Sequence, residues 1–230
     1  MIGLGLGLKI GGDSGVAPFT PASRGASLLL WSKADDPNIV TSGGLVQTWP
    51  DLSGNGNTWT DTTGLKAPLN NSDATLNNKK SVGGGAGGQQ ILTSGLSTSQ
   101  ANTIYLVGYL TAGTAFVDGT VNRQTMGNNA GTWFMNAGVL LSGGASDANP
   151  HAFAMVWNGA SSKLFVDNSA AANASGNAGA NAVNLLELSG ASGFSGAIAE
   201  IAVMSGADSQ AQVAQMFAYF AGRGWGINPS

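Results

Sequence analysis

Short apolar runs broken by Gly, Pro, Asp and Asn recur along most of this chain, and only its last part changes period. Residues 27–31 and 45–49 are such runs, each bounded by turn-prone residues as strands are, and residues 34–44 between them predict a loop. Residues 103–110 are apolar at odd and even positions alike, which predicts a central strand covered on both faces. Residues 151–157 and 163–167 flank Asn158-Gly159-Ala160-Ser161-Ser162, a turn-prone stretch of hairpin length. Residues 194–204 predict a last buried strand. Beyond it Ser209 and Gln212 have capping-box spacing, Val213, Met216, Phe217 and Phe220 fall on one helical face, and Gly222 offers a stop. One short C-terminal helix, packed on a sheet by its aromatic stripe, is the expectation.

Composition sharpens this to an all-β protein. Thirty-six glycines and 9% charged residues give a chain rich in turns and poor in ion pairs, and 43% hydrophobic residues suffice for a core. A length of 230 residues suits a single large sandwich. Without cysteine there is no disulfide framework and no thiolate metal site. A formal charge of −3 without clustered Lys and Arg argues against nucleic acid, and no apolar stretch is long enough for membrane insertion. Residues 83–88 and 169–182 are of low complexity and predict exposed loops or edge excursions. At the start Ile2, Leu4, Leu6, Leu8 and Ile10 alternate mainly with glycine, which puts them on one face of an extended segment, and no basic region precedes them as in a signal peptide. The expected organisation is an N-terminal assembly arm and linker over residues 1–26, followed by one domain over residues 27–230.

Trp49-Pro50-Asp51-Leu52-Ser53-Gly54-Asn55-Gly56-Asn57 resembles a segment near the start of many laminin-G-like domains of bacteria and their viruses. The apolar run ahead of it, the hairpin, the last strand with its helix and Arg223-Gly224-Trp225-Gly226-Ile227 follow in the order of that family, which belongs to the concanavalin A-like lectin and glucanase superfamily. The resemblance implies a two-sheet antiparallel jelly-roll sandwich with a short C-terminal helix, used for glycan or protein binding. It departs from the family at Asp167-Asn168, where an aspartate–glycine turn is usual, and in the long 169–182 insertion.

Glycoside hydrolysis needs two carboxylates around the scissile bond. The glutamates here are Glu187 and Glu200, and neither has an acidic neighbour at i+2 or i+4, so a non-enzymatic protein is expected. His151 has no serine elbow to serve and reads as structural. Glu200, inside an apolar run, needs donors if buried. Asp51, Asn55 and Asn57 offer oxygens suited to calcium or to sugar hydroxyls, and equally to a self-bonded turn with Gly54 and Gly56. Trp59 and Trp133 suit either sugar stacking or the core. No cofactor other than calcium is suggested.

The arm and the resemblance together predict a bacteriophage virion protein, a capsid decoration or tail-associated component, localised on the virion and partnered by other virion subunits as a homo-oligomer. The alternative is an extracellular carbohydrate-binding module or adhesin recognising cell-surface glycans.

Overall fold

The computed structural model describes residues 18–61, 67–84, 91–113, 115–119, 123–188 and 194–230. The expected arm residues Ile2, Leu4, Leu6, Leu8 and Ile10 lie outside these. Two antiparallel sheets stack into a sandwich, and one α-helix, Gln210–Gly222, follows the last strand.

The first sheet has the order Ala174–Gly176, Ser162–Val166, His151–Trp157, Asn102–Gly113, Phe194–Ser205, Lys79–Gly84 and Leu69–Asp73, with Leu28–Lys33 also paired to Phe194–Ser205. The second has nine strands, in the order Leu140–Ala145, Thr132–Asn136, Thr125–Asn129, Ala115–Asp118, Glu187–Leu188, Ile91–Thr93, Trp59–Thr60, Leu45–Trp49 and Val40–Ser42. The expected hairpin forms, with Phe153 opposite Val166 and Val156 opposite Lys163. Residues 34–44 are not wholly loop, since Val40–Ser42 adds the edge strand to Leu45–Trp49. Ala174–Gly176, within the low-complexity insertion, makes the edge excursion expected there and pairs with Ser162–Val166, because backbone pairing needs no apolar side chain.

Asn102–Gly113 alternates its side chains between two cores. Ile104 and Leu106 point between the sheets, where they join Trp49, Trp59, Phe116, Trp133, Phe153, Trp157 and Ile201. Tyr105 and Val107 point outward to a second core with Met204, Phe165 and the helix residues Val213, Met216, Phe217 and Phe220. That is why the run is apolar at both parities. Ser209 caps the helix by accepting from the Gln212 N–H, and Gln212 returns the bond through its side chain. The close pairing of the two long strands needs glycine at 196, where a Cβ would run into the Tyr109 carbonyl.

The helix therefore covers the outer face of the first sheet. Ahead of the first strand, the 3-10 segment Pro21–Ser27 is fixed to the same side, because Arg24 makes a bidentate ion pair with Asp208 at 2.6 and 2.7 Å and Phe19 packs on Tyr219.

Candidate functional site

The loop singled out for calcium or glycan is a structural clasp. Asp51 Oδ1 accepts from the Trp31 and Ser53 N–H groups at 3.1 and 2.8 Å, and Oδ2 accepts from Ser53 Oγ and the Asn57 N–H at 2.8 and 2.9 Å. Asn55 and Asn57 donate their side-chain amides to the carbonyls of Leu28 and Leu29, each at 2.8 Å. Both carboxylate oxygens are thus spent on the fold, and the loop is stitched to the first strand instead of facing a ligand. Among the described residues no group of three or more His, Asp or Glu is arranged to hold a metal ion. Trp59 and Trp133 are 0% and 1% exposed. Trp59 stacks on Trp49 and donates to Ser32 Oγ at 3.0 Å, and Trp133 lies against Phe116 and Phe153. Neither indole offers a face to a sugar, since stacking with its neighbours and burial in the core are worth more to it than an exposed position.

Glu200, at 0% exposure, accepts from Trp31 Nε1 and Tyr219 Oη, both at 2.7 Å, and from Arg223 Nε at 3.0 Å. Arg223 Nη2 also reaches Asp35 at 2.7 Å. Burial pushes the Glu200 carboxyl above its ordinary range, while Arg223 and the other donors pull it back. The cluster ties the helix end to the first sheet. His151 sits between two carboxylates, Nδ1 against Asp167 at 2.5 Å and Nε2 against Asp147 at 2.9 Å, with its ring edge-on to Trp133. A groove of about 470 Å³ lies beside the helix between Phe19 and Tyr219, and its lining is mainly apolar.

Hydrogen-bonding groups gather elsewhere, on the outer face of the nine-stranded sheet. One line of register runs through Val40, Thr48, Thr60, Thr93, Glu187 and Asp118 as successive cross-strand partners. It continues from Asp118 to Thr125 by a side-chain hydrogen bond of 3.0 Å, then to Asn136 and Leu140. The line crosses all nine strands. Trp49, Trp59, Leu188, Val117, Met126 and Met135 adjoin it in sequence and belong to the inner core, so alternation turns Thr48, Thr60, Glu187, Asp118, Thr125 and Asn136 outward.

Asp118 is the anchor of this row. It is 2% exposed, accepts from the Gly119 N–H and Thr125 Oγ1, and pairs with Arg123 at 3.1 Å. Arg123 itself is 48% exposed, and Glu187 is half-buried directly across from Asp118. Partial burial pushes the Glu187 carboxyl above its ordinary range, the Asp118 charge adds to that, and Arg123 offsets part of it. Sequence reasoning looked for an acidic neighbour along the chain and missed Asp118, which lies 69 positions from Glu187 and meets it only through strand pairing. The one local signal was a charged residue closing each of two apolar runs, Ala-Phe-Val-Asp and Leu-Leu-Glu-Leu.

Comparison with solved structures places this architecture among known ones. Domain 4 of AbnA, a GH43 extracellular arabinanase from Geobacillus stearothermophilus, in complex with arabinotriose, superposes with a TM-score of 0.57 and 18% identity over 84% of this chain and 98% of that one. The binding domain of Paraclostridial Mosquitocidal Protein 1 gives 0.57 and 12% over 87% of this chain and 53% of that one. The binding domain of botulinum neurotoxin DC, in complex with SialylT, gives 0.56 and 9% over 84% and 51%. The protein shares their β-sandwich fold. At these identities the likeness is one of fold alone, and the chain spans about half the length of the two toxin binding domains. No protein-family model matches the chain, and no curated protein matches it in sequence.

Proposed function

We propose that this protein is a carbohydrate-binding β-sandwich that binds without catalysis, and that its ligand lies across the outer face of the nine-stranded sheet. The observation that carries the reading is the row of hydroxyl, amide and carboxylate groups at Thr48, Thr60, Glu187, Thr125 and Asn136, aligned by register across the strands, with the Arg123 guanidinium brought to it by Asp118. Sugar hydroxyls donate and accept at once, and such a mixed row offers partners of both kinds. From Thr48 to Asn136 the row crosses six inter-strand gaps of about 4.8 Å, roughly 28 Å in all, which suits an oligosaccharide better than a single sugar. On the opposite sheet the helix and its aromatic side chains occupy the outer face over Tyr105, Val107, Phe165 and Met204. The structural neighbours in complex with arabinotriose and with SialylT support the same reading.

A glycan microarray probed with the wild-type protein, Asn136→Ala, Thr125→Val and Lys163→Ala tests it. Binding to at least one oligosaccharide should fall ten-fold or more in the first two variants and persist in Lys163→Ala, which lies on the other sheet. Binding that the row variants leave unchanged would remove the site from this face. Such a role puts the domain where glycans are displayed, outside a cell or on a particle surface. The virion role expected from the sequence rests on the arm and on the resemblance, and the apolar residues of the arm, Ile2 to Ile10, lie outside those described.

A further inference from the structure

The charge of the row narrows the ligand, on the basis of the carbohydrate reading. The nine strands contain two carboxylates, Asp118 and Glu187, and no lysine or arginine, whereas Lys33, Lys79, Lys80 and Lys163 all lie on strands of the other sheet. The cation of the row, Arg123, is contributed by the following loop and is held at 3.1 Å by the buried Asp118. Once that pair is formed, the row presents the half-exposed Glu187 as its net charge.

We propose that this face takes neutral, hydroxyl-rich oligosaccharides and excludes sugars bearing a carboxylate, with Glu187 as both hydroxyl acceptor and charge filter. A carboxylate is the strongest acceptor a sugar hydroxyl can meet, since a hydrogen bond to an ionised group is about twice as strong as a neutral one. A sialic acid or uronate laid on the same row would bring a second negative charge beside Glu187, where the charge of Arg123 is already balanced by Asp118. Asp118 acts as a positioning residue, holding the Arg123 guanidinium and the Thr125 hydroxyl at the centre of the row. Glu187 also takes up a proton more readily than an ordinary glutamate, so the filter relaxes on acidification.

Calorimetric titration with arabinotriose, lactose and sialyllactose tests this on wild type, Glu187→Gln and Asn136→Ala, each checked by its thermal melt. Wild type should bind a neutral sugar, and sialyllactose should bind at least ten-fold more weakly than lactose. Glu187→Gln should weaken neutral binding several-fold and narrow the gap between lactose and sialyllactose. If sialyllactose binds wild type as well as lactose does and Asn136→Ala weakens both, the charge filter is wrong while the carbohydrate reading stands. Neutral binding that survives Glu187→Gln undiminished removes the acceptor role. If none of the three sugars binds, the carbohydrate reading falls, and the filter with it.

Discussion

Glu200 and His151 are both held in place by side chains that, apart from Asp147, lie well away in the chain. Glu200 collects Trp31, Tyr219 and Arg223, so a carboxylate that would be costly alone becomes a junction between strand and helix. His151 is held above its ordinary value of 6.5, because bonds to Asp167 and Asp147 outweigh the burial that would lower it. The protonated ring can donate to both carboxylates, and the neutral ring to only one. Folding therefore favours the charged ring. Its stabilisation is complete below the unfolded value near 6.5 and is lost as pH rises through the higher folded value. Thermal melts of wild type and His151→Gln should differ most near pH 6 and converge as pH rises to about 9. A gap between them that does not change with pH would show that the ring is not protonated in the folded state.

The helix shows how a legible element gains its stability from tertiary contact. Thirteen residues are marginal as an isolated helix, and Gln210–Gly222 persists because Val213, Met216, Phe217 and Phe220 are buried on the first sheet. Phe217→Ala should cost about 3–5 kcal/mol through lost burial and a cavity. Ser209→Ala, which removes the N-cap bond, should cost about 1 kcal/mol. Urea unfolding measures both, and equal losses would mean that capping, not packing, holds the helix. The cap and the stripe were visible in sequence because they lie within a few residues of one another, whereas the left-handed glycine that follows the helix is Gly224 and not Gly222, its last residue. The Val40–Ser42 strand was not visible, since its pairing uses backbone groups and leaves little side-chain pattern.

At the scale of the whole molecule the two sheets differ in charge and cover. One carries the helix and the strand lysines, and the other carries the polar row with its two carboxylates. Pro18 to Ser27 belong to the covered side through Phe19 and Arg24, so a test of the arm should leave them in place. Sedimentation velocity of the full chain against one beginning at Pro18 addresses the assembly role proposed for Ile2, Leu4, Leu6, Leu8 and Ile10. The full chain should form a discrete oligomer that the shortened chain loses while keeping its circular dichroism. Two monomers would remove self-association through the arm.

Periodicity and turn chemistry act over a few residues, so the β class, the central two-faced strand, the hairpin and the capped helix were legible along the chain. Tertiary packing decided that Asp51 is a clasp and that Trp59 and Trp133 are core, since burial depends on what packs from elsewhere in the chain. It also decided the row itself. Thr48, Thr60, Glu187, Asp118, Thr125 and Asn136 carry no joint pattern in sequence, and strand pairing alone brings them into line.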